Sequence, residues 1–141
     1  MDRSELQAWA ADHFERWCRR DAAALAAHHA PNGVVENPRF GKVQGRRAIE
    51  DTYRALLTAF PDWELAVDTL IIDPPRVAAF SSSHGTHVNE FFGVPGTGKR
   101  VEIKAAALFT IENGLITHER RIYDFTGLLV QVGVLRAKPG A

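Results

Sequence analysis

The sequence predicts an α+β fold in which three N-terminal helices pack on a curved, mainly antiparallel sheet and enclose an internal pocket. Three observations predict it. Apolar residues recur at helical spacing in the part of the chain before Pro61, strand-like segments follow Pro61, and turn signals separate those strands at short intervals. A chain of 141 residues is long enough for a core of its own, so we expect residues 1–141 to form one cone-shaped domain.

Three helices are predicted in the first part of the chain. The segment "SELQ" has a capping-box pattern and opens the first helix, whose apolar positions follow helical spacing: Leu6, Ala10, Phe14 and Trp17. Asp21 can cap a second, alanine-rich helix that runs toward His29. The third helix has apolar residues at intervals of four, three and four: Ile49, Tyr53, Leu56 and Phe60.

The strands are predicted from alternation and from the turns between them. A short strand, "VVENP", ends at Pro38, ahead of the third helix. The others follow Pro61: "WELAVDTLII", "RVAAFSSSHGTHV", "VEIKAAALFTI" and "LITHERRIYDF". The last of these has no plainly apolar face, because Glu119 and Arg121 alternate on one side and His118 and Arg120 on the other. It ends near a carboxylate, Asp124.

Charge and composition exclude several classes of function. The chain has 17 basic and 17 acidic residues, so no strong field attracts nucleic acid or an anionic membrane. Cys18 is the one cysteine, which excludes an intramolecular disulfide. No apolar segment is long enough to span a bilayer, and the N-terminus has no signal core. We therefore expect a cytoplasmic protein without nucleic-acid or membrane partners.

The pattern of the strand "VEIKAAALFTI" predicts a homodimer. Apolar residues occur on both of its faces, with Val101, Ile103 and Phe109 on one and Leu108 on the other. A strand that is apolar on both faces is covered on both. We expect the helices to cover one face of the sheet and a second copy of the chain to cover the other.

Three stretches resemble the SnoaL-like polyketide cyclase family: "ALLTAFPDWELAVDTLI", "GTHVNEFFGVPGTGKRVEI" and "FTIENGLITHERRIYDFTGLLVQVGV". They are ordered and spaced as in that family, and the resemblance covers most of the chain from about Ala23 onward. It implies the cone-shaped fold shared by nuclear transport factor, ketosteroid isomerase and limonene-1,2-epoxide hydrolase. It also implies a cofactor-free acid/base enzyme that closes a ring in a hydrophobic small molecule by an intramolecular aldol step.

The resemblance implies that Asp124 is the acid/base residue, because it falls where SnoaL-like cyclases place their catalytic aspartate. A carboxyl group in an apolar cavity has a raised pKa and can both take and return a proton near neutral pH. Two structural alternatives stay open. Asp124 could pair with Arg120 or Arg121, or it could cap a short helix that begins near Thr126.

Three further polar residues are candidates for the site. Asn37 stands where ketosteroid isomerases carry a base; it cannot take a proton, so we expect it to hold a carbonyl group or a water, unless it only forms a turn before Pro38. His84 and His87 point to opposite faces of a strand, and either could be the second acid or a structural histidine. No metal-binding spacing accompanies them, so we predict no metal.

The pocket is expected to be lined by large apolar side chains, although several of them could instead form the core. The expected lining residues are Phe14, Trp17, Tyr53, Trp63, Phe91, Phe92 and Ile122.

Two other functions stay open. The first is an epoxide hydrolase, although Val35 stands where those enzymes carry a tyrosine and "SHGTH" stands where they carry an Arg-X-Asp group. The second is a protein that binds a small lipophilic molecule without catalysis.

Overall fold

A computed structural model describes residues 1–136, in which four helices and a six-stranded sheet form the α+β architecture that the sequence predicts. The helices are α1 (Arg3–Cys18), α2 (Ala22–Ala27), α3 (Arg46–Ala59) and α4 (Phe125–Gln131). The strands are β1 (His29–Asn37), β2 (Gly41–Gln44), β3 (Glu64–Asp73), β4 (Arg76–Thr86), β5 (Arg100–Glu112) and β6 (Leu115–Tyr123). The sheet is curved and unclosed, consistent with the predicted cone.

The strands lie in the order β2-β1-β6-β5-β4-β3. Neighbouring strands are antiparallel except for β1 and β6, which run parallel. Apolar side chains fill the space between the helices and the inner sheet face in two clusters, one around Leu6 and Phe109 and one around Leu25 and Tyr53. The core therefore consists of contacts between segments distant in sequence.

Of the two N-terminal helix caps predicted from the sequence, the cap of α2 is confirmed and the cap of α1 is formed by different residues. Asp21 caps α2 as predicted, since its carboxylate accepts a hydrogen bond from the backbone amide of Ala24 at 3.0 Å. The capping box of α1, however, is formed by Asp2 and Glu5 and not by Ser4 and Gln7. The backbone is extended at Asp2 and helical from Arg3 onward, and a capping side chain needs that extended conformation.

A β-bulge in β6 decides which of its side chains face the helices. Thr110 pairs with His118 and Ile111 pairs with Ile116, so Thr117 is an extra residue in β6. The bulge interrupts the alternation, and both Ile116 and Glu119 become buried. Beyond it Arg121 and Tyr123 continue on the side of Glu119, whereas Ile122 faces outward and is 63% exposed.

The outer face of the sheet carries a row of apolar side chains. Thr69, Phe80, Ala106 and Ile122 are paired in register across four strands, and Ile71, Ala78 and Leu108 form the adjacent row. Phe80 is 47% exposed and Ile71 is 55% exposed. This face is not covered by the chain's own helices.

Within residues 1–136, no helix is both long enough and apolar enough to cross a membrane. The same residues contain no group of three or more histidine, cysteine or acidic side chains arranged to hold a metal ion.

Candidate active site

A cavity of about 140 Å³ lies between the helices and the inner face of the sheet. Its walls are mainly apolar and include four of the residues predicted from sequence: Phe14, Trp17, Trp63 and Phe91. α1 contributes the first two because they lie one turn apart on its inner face. A concave, mainly apolar cavity with a few polar groups is the usual form of a small-molecule site.

The charged part of the cavity comes from β6. Glu119 and Arg121 are two residues apart beyond the bulge, so they share the inner face of the strand. Arg121 donates from Nε to Oε2 of Glu119 and from Nη2 to Oε1 at 3.3 Å. Glu119 is only 2% exposed. The two side chains form an ion pair in which the partly exposed Arg121 compensates the buried charge of Glu119.

Two buried side chains extend this ion pair. Arg121 Nη2 also donates to the hydroxyl of Tyr53 at 2.8 Å, and that hydroxyl lies 2.9 Å from His29 Nε2. Since the Tyr53 oxygen accepts from Arg121, we assign its hydrogen to the bond with His29. Tyr53 does not line the cavity, contrary to the expectation from sequence, because it stands behind Arg121 and supports it.

The protonation states of this network follow from burial and charge. Burial alone would lower the pKa of Arg121, but the carboxylate of Glu119 and the Tyr53 hydroxyl reverse the effect, and the pKa is raised. Burial raises the pKa of Tyr53 despite the nearby Arg121. Burial lowers the pKa of His29 to about 4, against the opposing effect of Glu119. At neutral pH the network therefore contains a cationic Arg121, a neutral Tyr53 and a neutral His29.

One nitrogen of Arg121 is available to a ligand. Nε and Nη2 are bound to Glu119 and Tyr53, whereas Nη1 has no hydrogen-bond partner among residues 1–136. Arg121 borders the cavity, so Nη1 can donate to a carbonyl oxygen or an enolate bound there. Tyr123 borders the same cavity, and burial raises the pKa of its hydroxyl despite the nearby Arg39 and Arg121. It is thus a protonated donor at neutral pH.

Asn37 combines the two roles that the sequence left open. Its side-chain oxygen accepts hydrogen bonds from the backbone amides of Arg39 at 3.0 Å and Phe40 at 2.9 Å, which forms the turn after β1. Asn37 also borders the cavity. Because its oxygen is used in the turn, only its amide nitrogen remains to hold a ligand oxygen.

Asp124 lies outside the cavity, which corrects the expectation that it is the acid/base residue of an apolar pocket. It is the N-cap of α4, and its Oδ1 accepts from the backbone amide of Gly127 at 2.8 Å in an exposed position. Neither candidate arginine pairs with it, since Arg121 binds Glu119 and Arg120 lies 3.8 Å from Glu36. The helix-cap alternative accounts for this carboxylate.

Four other predicted site residues also lie away from the cavity. His84 is half-exposed, its Nε2 lies 3.2 Å from Oε2 of Glu64, and its Nδ1 accepts from Arg100 at 2.7 Å. His87 is buried, but it packs against Phe60 and lies 3.0 Å from the Thr97 hydroxyl. Phe92 is 40% exposed and packs against Phe91, while Ile122 faces outward because of the strand's alternation. None of the four lines the cavity.

The polar residues that border the cavity but were not predicted are Arg39, Thr52, Ser81, Ser83, Glu119, Arg121 and Tyr123. A signal for three of them was present in the sequence. The segment "ERRIY" places an acid, a base and a tyrosine on one strand face, and a charged row on a strand inside a small domain requires a buried partner or a site. Arg39 had no such signal, because its place follows from the turn after β1.

Several known proteins are similar to this chain in sequence and in structure. A family model described as SnoaL-like polyketide cyclase matches residues 9–132. AclR from Streptomyces galilaeus, described as "a putative hydroxylase", is 26% identical with a TM-score of 0.86, over 99% of this chain and 91% of that chain. IdmH from Streptomyces antibioticus, described as "a putative polyketide cyclase", is 25% identical with a TM-score of 0.76, over 91% and 98%.

TsrD from Streptomyces laurentii is 23% identical with a TM-score of 0.81, over 96% of this chain and 99% of that chain. At that identity the likeness shows the fold alone. No curated protein sequence matches the chain.

Proposed function

This chain belongs to the SnoaL-like polyketide cyclase family, and we propose from that premise that it is an acid/base enzyme that closes a ring in a hydrophobic small molecule by an intramolecular aldol step. The observation that carries the proposal is the buried pair of Glu119 and Arg121 at the wall of a mainly apolar cavity. Side chains of the cavity supply every proton acceptor and donor that the step needs.

The proposed step assigns one role to each polar group. Glu119 takes a proton from the carbon beside an activated carbonyl, and Arg121 Nη1 stabilises the resulting enolate oxygen. The enolate carbon then forms a bond to a second carbonyl carbon of the same molecule, and Tyr123 gives its proton to the oxygen of that carbonyl. The proton on Glu119 then passes to Tyr123, so both side chains regain their starting protonation states and the product is an isomer of the substrate.

The cavity also favours this step by excluding other conformations of the substrate. A flexible chain with two carbonyl groups reacts slowly in water because the ends rarely meet in the right orientation. A cavity of about 140 Å³ with apolar walls holds such a chain folded. The Asn37 amide nitrogen can hold one of the two oxygens while Arg121 holds the other.

The epoxide hydrolase alternative has less support. That activity would need charged side chains on the middle strand, and the residues of β4 that border the cavity are Ser81 and Ser83. Binding without catalysis and the hydroxylation suggested by the description of AclR are distinguished from cyclisation by the product of the assay.

The proposal is tested with an aromatic β-keto ester that carries a second ketone on a flexible chain. We expect the product to have the mass of the substrate, or that mass less one water. Glu119→Gln is expected to lower the rate by about two orders of magnitude or more, because it removes the proton acceptor and keeps the shape. Asp124→Asn is the matched control: it keeps the cap of α4 and should retain the rate.

Each other outcome of this assay has a definite meaning. Loss of activity in Asp124→Asn with retention in Glu119→Gln would overturn the assignment of the base. A product with one additional oxygen would indicate hydroxylation, and cleavage of the substrate into an acid and an alcohol would indicate ester hydrolysis. Binding of the keto ester without turnover would leave the protein as a carrier of small molecules.

The outer sheet face supports the further proposal of a homodimer. The row formed by Phe80, Ala106 and Ile122 continues across three paired strands, and the adjacent row adds Ile71 and Leu108. A contiguous exposed apolar face of this kind marks an interaction surface. A second copy has the same face, and two sheets of equal curvature can pack against each other.

We expect light scattering to give the mass of a dimer at micromolar concentration. The double change Phe80→Glu and Ile122→Glu should give a monomer, because it places four like charges in the interface. The control Val88→Glu changes an apolar residue that is 52% exposed but lies outside the sheet, and it should leave the dimer intact. A monomeric wild-type protein would contradict the proposal.

A further inference from the structure

We propose that Arg39 is the specificity residue of the cavity, and that it selects substrates whose apolar body carries a carboxylate. The inference rests on the proposed function, since it names the substrate class of the same cavity. Arg39 lies in the turn between β1 and β2 and borders the cavity together with Phe40 and Phe91.

The turn holds Arg39 in a defined position. The backbone amide of Arg39 donates to the side-chain oxygen of Asn37, which fixes the start of its side chain. The guanidinium carbon lies 3.0 Å from the ring centre of Phe92, 4.1 Å from that of Phe40 and 4.6 Å from that of Phe91. Aromatic faces attract a cation and hold it without using its hydrogen-bond donors.

Arg39 has no close acidic partner among the residues that the structure describes. Within residues 1–136 no carboxylate lies at ion-pair distance from its guanidinium, and its Nε is buried without a hydrogen-bond partner. Arg121 in the same cavity differs, because Glu119 neutralises it. The cavity is thus bordered by two arginines and one carboxylate, and the excess positive charge belongs to Arg39.

The pKa of Arg39 is consistent with a cation that lacks a close acidic partner. Burial lowers its pKa to about 10, and the nearby Tyr123 and Glu90 oppose the effect only in part. The group is cationic at neutral pH but poorly solvated. An anion supplied by a ligand would replace the missing partner, and buried charges in proteins are otherwise paired.

The shape of the group favours a carboxylate. A guanidinium offers parallel N–H donors that match the two oxygens of a carboxylate. The rings of Phe40 and Phe91 border the cavity and leave an apolar surface beside that position, which suits the aromatic body of the ligand. A substrate bound in this way has its acidic end at Arg39 and its reacting carbonyl groups near Arg121.

The test compares two ligands that differ only in charge: 2-naphthoate and its neutral isostere 2-naphthamide. Titration calorimetry or naphthalene fluorescence gives the affinity of each for the full chain. We expect the wild-type protein to bind the naphthoate about tenfold or more tightly than the naphthamide, since a charge-assisted bond exceeds a neutral one by that amount. Arg39→Gln should reduce this ratio to about twofold or less, and Arg39→Lys should keep part of it.

Arg47→Gln is the matched control, because it removes the same charge from an exposed position on α3 that does not border the cavity. The ratio of naphthoate affinity to naphthamide affinity in Arg47→Gln should equal that of the wild-type protein. The ratio should also stay constant from about pH 7 to about pH 9, because Arg39 remains cationic over that range. Naphthamide binding by Arg39→Gln shows that the variant is folded.

A tenfold preference for the naphthoate that persists in Arg39→Gln would overturn the inference. So would equal binding of the two ligands by the wild-type protein, in which case the cavity would still be a hydrophobic binding site. If neither ligand bound the wild-type protein, the inference would fail, whereas the proposed function would still be decided by the keto ester assay.

Discussion

Replacing Arg121 by methionine is expected to destabilise the protein by about 3–5 kcal/mol, the cost of leaving a buried charge without its partner. Glu119 is 2% exposed and accepts two hydrogen bonds from Arg121, so the substitution removes its compensating charge and both donors. The Tyr53 hydroxyl loses a donor as well. In thermal unfolding we expect a decrease in Tm of roughly 10–20 °C.

Two further variants distinguish the destabilisation caused by an unpaired buried charge from that caused by loss of side-chain volume. Arg120→Met changes the neighbouring arginine, which is exposed and lies 3.8 Å from Glu36, and it should cost less than about 1 kcal/mol. The double variant Glu119→Leu with Arg121→Met removes both charges and should recover most of the loss. If Arg121→Met were no more harmful than Arg120→Met, the pair would not be buried in solution as the structure describes it.

The second large effect concerns the stability of the protein in acid. Three buried histidines, His13, His28 and His29, lie where α1, α2 and β1 meet. The Nδ1 atoms of His13 and His28 are 2.9 Å apart, and the ring of Trp9 stacks on both. Burial lowers the pKa of His28 and of His29 to about 4, and it lowers that of His13 well below its usual range.

The direction of the pH effect follows from these pKa values. The unfolded chain binds protons on these histidines below about pH 6.5, whereas the folded chain binds them only near pH 4 or lower. Between these values the unfolded state holds more protons, so stability decreases as the pH falls. Each of the two histidines with a pKa of about 4 contributes roughly 3 kcal/mol to this decrease. The other charges facing His28 are Arg16 and Asp12, and their effects on its pKa oppose each other.

We expect urea unfolding to give a free energy that is lower by roughly 5 kcal/mol at about pH 4.5 than at about pH 7.5. His13→Phe keeps the aromatic packing against Trp9 and Phe109 but removes one of the three groups, so it should reduce the dependence on pH. His118→Gln is the control, since His118 is exposed and lies 2.9 Å from Glu36. An equal pH dependence in His13→Phe and the wild-type protein would contradict the assignment.

The sequence by itself determined the local features of this protein. The third helix was predicted from its apolar spacing, the Asp21 cap from residue type, and the strands after Pro61 from their alternation and turns. Each of these depends on interactions within a few residues. The resemblance of three long stretches to one family fixed the fold class, which the structure and the comparisons confirm.

Only the tertiary structure decided which face of β6 turns toward the helices. That strand has charged residues on both faces, so alternation alone could not choose between Asp124 and Glu119 as the inward carboxylate. The bulge at Thr117 buries Glu119, and Tyr53 and His29 from other segments provide polar partners for the network there. Burial of a charge depends on such distant partners, whereas the cap formed by Asp124 needs only the backbone of Gly127.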